Sequence, residues 1–68
     1  MAAYMEANQI RLSLKMKLSV YSWYSGCGVF QGEGDYFVVI SVKKLDNQVR
    51  KLIPQVINGI SIKTELIS

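Results

Sequence analysis

Between residues 10 and 20 the chain alternates without a break: Ile10, Leu12, Leu14, Met16, Leu18 and Val20 are apolar, while Arg11, Ser13, Lys15, Lys17 and Ser19 are polar. A period of two is the pattern of a half-buried strand, whose successive side chains point to opposite faces of a sheet. A helix from residue 3 to 21, with Leu12, Met16 and Val20 at i, i+4 and i+8, competes on propensity. It would spread the six apolar residues around most of its circumference, whereas a strand gathers them on one side. The spacing therefore predicts a strand over 10–20. Its polar face carries a row of cations, Arg11, Lys15 and Lys17, that runs on towards Tyr21 and Trp23.

With 68 residues the chain makes one domain, residues 1–68. A domain this small buries only about 60% of the surface its unfolded chain exposes, so its stability is thin and support from a partner is expected. Half the residues are hydrophobic and 19% are charged, with a mean hydropathy of +0.18, so some apolar area is expected to stay on the surface. The lone Cys27 cannot form an internal disulfide, and without histidine there is no ordinary zinc cage. Packing has to supply the stability. A single thiol fits a reducing compartment, and residues 1–8 lack the basic and long apolar regions of an export signal. The longest apolar runs, such as 37–40, fall far short of the ~20 residues needed to cross a bilayer. A cytoplasmic protein without a membrane association is expected.

Residues 1–9 have no clean period and read as a disordered arm or a lead-in to the first strand. Between 25 and 35, Gly26, Gly28, Gly32 and Gly34 make a turn region. Within it, 28–31 can form a short extra strand that pairs with the next one across Gly32, Glu33, Gly34 and Asp35. Residues 36–43 read as a strand with Tyr36, Val38, Ile40 and Val42 on one face and Phe37, Val39, Ser41 and Lys43 on the other. Asp46 or Asn47 caps a short helix bearing Val49, Leu52, Ile53 and Val56, whose regular part must stop near Ile53 because Pro54 follows. Asn58 and Gly59 turn the chain into a final strand over 60–66. The expected architecture is α+β: a small open mixed sheet in the order strand, strand, helix, strand, with one helix packed on the even-numbered face. The connection between the last two strands is long enough for a parallel crossover, and the other face is left bare.

A register that sets Trp23 across from Phe37 also places Tyr21 against Val39 and Lys17 near Lys43. The bare face then offers Tyr21, Trp23, Phe37 and Val39 as anchors with Lys15 and Lys17 at their rim. That combination suits a protein partner or a second copy of the chain. The competing reading is structural: Trp23 and Tyr24 fold under the glycine-rich loop and help close the core. The alternative function is single-stranded nucleic-acid binding by the same face, with Arg11, Lys15, Lys17 and Lys43 on phosphates and Tyr21 or Trp23 stacking on bases. The net charge of +3 is a mild bias towards acidic partners.

Catalytic chemistry finds little footing. Cys27 has no histidine to activate it, the glycine-rich stretch lacks a Gly-Lys-Ser/Thr, and Glu33 with Asp35 is the only close pair of carboxylates. The expectation is a non-enzymatic interaction protein, an inhibitor or accessory subunit, with no cofactor, no metal and no small-molecule substrate. From Gly28 to Leu66, the run Gly-Val-Phe, an acidic glycine turn, Tyr36-Phe37-Val38-Val39-Ile40-Ser41-Val42, Ile53-Pro54 and Asn58-Gly59-Ile60-Ser61-Ile62 resembles a small uncharacterised bacterial α/β module. In that module a glycine hairpin leads to an apolar strand, an Ile-Pro element and a Gly-Ile-x-Ile strand. The resemblance implies a fold rather than an activity.

Overall fold

The computed structural model describes residues 4–67. In chain order they form α1 (Tyr4–Leu18), β1 (Tyr24–Gln31), β2 (Tyr36–Val42), α2 (Asn47–Leu52), β3 (Val56–Ile57) and β4 (Ile60–Leu66). The strands make one open four-stranded sheet in the order β1-β2-β4-β3. β1 and β2 are antiparallel, β2 and β4 parallel, and β3 and β4 antiparallel. The class is α+β with an open mixed sheet, as the sequence predicts, including the parallel crossover that carries α2.

The expected strand over 10–20 is instead most of α1. Residues two apart in a strand share a face, but residues four apart also share a face of a helix, so one alternating set can be divided into two helical faces. Here the division is complete. Ile10, Leu14 and Leu18 join Ala7 as the buried face, whereas Leu12, Met16 and Val20 are 43%, 79% and 80% exposed. Helical spacing was therefore present, on the triple opposite to the one that competes with the strand reading. Local chemistry agrees with the helix: Glu6 sits in the first turn and Lys15 and Lys17 in the last, each favourably placed in the field of the helix dipole. Residues 4–9, expected in an arm, are its opening turns; residues 1–3 of that arm lie outside the described residues.

The turn across 32–35 forms as expected, closed by a 2.8 Å hydrogen bond from the Gly32 N–H to the Asp35 carbonyl. Its register pairs Gln31 with Tyr36, Phe30 with Phe37 and Gly28 with Val39. β1 is longer than the short strand predicted over 28–31. Gly26 and Gly28 lie within it, and the pairing shifts between Tyr24 and Gly26. The register placing Trp23 across from Phe37 is consequently wrong. The Trp23 carbonyl accepts from the Lys43 N–H at 2.8 Å, and Lys43 is six residues further along than Phe37, roughly 20 Å of extended chain.

Beyond β2 the turn chemistry follows the sequence closely. The Asp46 side chain accepts from the Val49 N–H at 2.9 Å, capping α2, and the helix ends before Pro54. Asn58 (φ 51°) and Gly59 (φ 79°) both lie in the left-handed region, which a tight two-residue hairpin demands and which asparagine and glycine tolerate best. That hairpin includes β3, a two-residue strand absent from the expected order. In the core, the even-numbered face of β2 (Val38, Ile40, Val42) meets the buried face of α1, with Val49, Ile53, Ile60 and Ile62 completing the cluster.

Candidate interaction surface

Because Val38, Ile40 and Val42 point into the core, the strand pleat turns Phe37, Val39 and Ser41 to the opposite side of the sheet. Pairing adds Phe30 and Gly28 from β1, and Lys63 and Glu65 from β4, which lie beside Val39 and Ser41. α1 lies on the other side, so this face is the uncovered one. Phe30, 53% exposed, stacks on Phe37 with ring centroids 6.0 Å apart. The Lys63 Nζ stands 4.4 Å from the centroid of the Phe37 ring, where the negative ring face attracts a cation.

Two glycines shape this aromatic pair. A Cβ built on Gly28 would come within 3.3 Å of the Phe30 ring, and one on Gly32 within 3.2 Å of the Phe37 ring. Bare backbone at both positions lets the rings lie down against the sheet. The outcome is a low aromatic platform beside Val39, bordered by Lys63 and Glu65.

The residues proposed from sequence divide between this surface and others. Phe37 and Val39 lie on the uncovered face, both half-buried. Tyr21 and Trp23 stack on each other at 4.9 Å in the turn between α1 and β1, and Trp23 also packs against the core cluster, close to its structural reading. Arg11, Lys15 and Lys17 belong to α1, on the other side of the sheet, and the Arg11 Nε donates to the Asn8 Oδ1 at 2.9 Å. Lys43 lies just past the end of β2. The four anchors and their basic rim therefore do not form one surface. Phe30 and Lys63 are the residues sequence reasoning missed. A signal for Phe30 was available, since a turn across 32–35 by itself puts Phe30 opposite Phe37.

Beneath α1, the Tyr24 hydroxyl donates to the Cys27 Sγ at 3.2 Å, and the Cys27 thiol donates to the Arg11 carbonyl at 3.5 Å. Burial, reinforced by the bond to Cys27, pushes the Tyr24 phenol up to about 12. These contacts tie β1 to the middle of α1, a structural role for the thiol. Two shallow clefts are also present. One, of about 380 Å³, lies between α2 and β4 around Arg50, Ile53 and Ile62. The other, of about 280 Å³, lies between α1 and the β3–β4 turn around Glu6, Ile10 and Asn58. Each has one charged side chain in its lining.

No described helix is long and apolar enough to cross a membrane. Comparison of the chain with protein-family models, curated proteins and solved structures finds no match.

Proposed function

We propose that this chain is a small interaction module without a catalytic role, an inhibitor or accessory subunit, that holds a protein partner on the uncovered face of its sheet. The carrying observation is the exposed Phe30 stacked on Phe37 beside Val39, with Lys63 on the second ring. An apolar centre rimmed by a cation and a carboxylate has the composition of a protein-binding patch, and aromatic side chains are favoured anchors there. A reducing, cytoplasmic setting suits the half-buried Cys27 thiol.

Single-stranded nucleic acid is the weaker reading. Stacking platforms hold bases when cations run alongside to track the backbone, and here Arg11, Lys15 and Lys17 are separated from the rings by the sheet itself. Affinity capture from the native source with wild-type and Phe30→Ser baits tests the proposal. A protein retained by the first bait and lost from the second supports it; equal retention by both sinks it. Oligonucleotide binding that weakens with salt and disappears in Phe30→Ser would transfer the face to nucleic acid.

A further inference from the structure

The sheet ends on two unlike edges. β3, at one of them, is only two residues long, a short edge of the kind that discourages further pairing. β1, at the other, runs for eight residues and carries no charged side chain and no proline. Its bulge between Tyr24 and Gly26 confines the regular ladder to the residues beyond. Register then fixes which backbone groups are left over. The bond from the Gly32 N–H to the Asp35 carbonyl marks a hydrogen-bonded pair. Such pairs alternate along an antiparallel ladder, so Phe30, Gly28 and Gly26 turn their N–H and C=O groups to β2. Cys27, Val29 and Gln31 turn theirs outwards, and among the described residues nothing pairs with them. A row of this kind suits one occupant, an extended segment that adds a strand.

Helix α1 supplies the charge preference. One of its flanks, with Glu6, Gln9 and Ser13, lines the cleft towards Ile57 and Asn58 on the β3 side. At about 100° per residue, Arg11 and Lys15 share the other flank, roughly 170° away around the axis, which is the β1 side. Contacts agree with this placement. The Cys27 thiol donates to the Arg11 carbonyl at 3.5 Å, and the Arg11 charge works against the burial that raises the Tyr24 phenol. α1 runs antiparallel to β1, because Tyr4 at its start stacks on Tyr36, the pairing partner of Gln31, and its end at Leu18 leads directly into Tyr24. Lys15, exposed and one turn beyond Arg11, therefore lies towards the start of β1. Neither β1 nor this flank of the helix carries a carboxylate to balance the two cations. Pairing of β1 with a second copy would bring Arg11 and Lys15 of both chains together across the seam, and like charges so placed oppose it.

We propose that the free edge of β1 takes up an extended acidic segment of a partner protein as an added strand. The backbone of that segment pairs with Cys27, Val29 and Gln31. Its helix-side residues, spaced two apart along the strand, bring carboxylates to Arg11 and Lys15. The inference goes beyond the proposed function, since it uses the sheet edge and the helix flank rather than the Phe30 and Phe37 rings.

Selection of a phage-displayed library of random linear peptides against the full chain tests it, followed by binding and amide-exchange measurements with the selected peptides made synthetically. Expected are sequences with Asp or Glu at alternate positions, and slowed exchange of the Cys27, Val29 and Gln31 amides in the complex. Lys15→Glu should weaken binding by about fivefold, and a peptide with lysine in place of its acidic residues should recover it. Gln31→Pro, which removes an outward N–H and no bond to β2, should weaken binding as well. Circular dichroism confirms that each variant stays folded. Selection of no peptide, or of peptides without acidic residues, overturns the inference. So does binding that perturbs Phe30 and Phe37 and leaves the three edge amides unprotected, an outcome that would still favour the proposed function. Edge amides that become protected in the chain alone as its concentration rises would give the edge to a second copy and overturn it too.

Discussion

Leu18 is fully buried at the last turn of α1, in the core cluster it shares with Val42 and Ile40. Truncation there leaves a cavity that a small core has little means to close, at a cost of about 2–5 kcal/mol. A domain of this length has a total stability of only about 3–10 kcal/mol, so Leu18→Ala should lower the urea midpoint sharply or unfold the protein. Leu12→Ala, on the outer face of the same helix, should change that midpoint little. Tyr24 makes a different prediction at the same scale. Its phenol is raised to about 12 from the ordinary value near 10, so between these values the folded state holds a proton that the unfolded state has lost. Stability is thus fully present below pH ~10 and falls as the pH rises towards ~12. An ultraviolet titration should find a late-ionising phenol, and Tyr24→Phe should remove that late step.

The elements differ in how they hold their ends. α2 has only six residues and relies on its cap. The bond to the Val49 N–H, followed by the one to Lys44, holds the Asp46 carboxyl below the usual carboxylate range. A carboxylate depressed in the folded state stabilises above its unfolded pKa, and that contribution is lost as pH falls through the depressed value. Asp46→Ala should therefore lower the thermal midpoint at neutral pH and have little effect in acid. Asp46→Asn, which keeps a capping oxygen, should flatten the pH dependence. β1 behaves otherwise, because its outward residues Gly28 and Phe30 are defined only by pairing with β2. Gly26 and Gly28 resemble loop in isolation, yet both lie in the β1 ladder opposite Ser41 and Val39, and at Gly28 the Phe30 ring lies where a side chain would begin.

For the molecule as a whole, one sheet carries a helix on one face and an aromatic platform on the other, while the helix itself is apolar on both sides. The later half of this layout was legible in advance. The alternation over 60–66, the cap at Asp46, the stop at Pro54 and the Asn58-Gly59 turn are each local rules with one physical outcome. The candidate surface was half legible: Phe37 and Val39 followed from the pleat of β2, while Phe30 and Lys63 depended on which strands lie beside it.

Sequence alone determined where regular structure must break and which side of β2 and β4 is apolar, because dihedral preferences and side-chain alternation act over a few residues. It could not decide the state of residues 10–20. Their spacing satisfies a strand with one full apolar face and a helix with two half-faces, and propensity and period pull in opposite directions. Tertiary structure settled that choice by giving Ile10, Leu14 and Leu18 a sheet face to cover and leaving Met5, Leu12 and Met16 outside. The same decision carried the cations away from the aromatic platform.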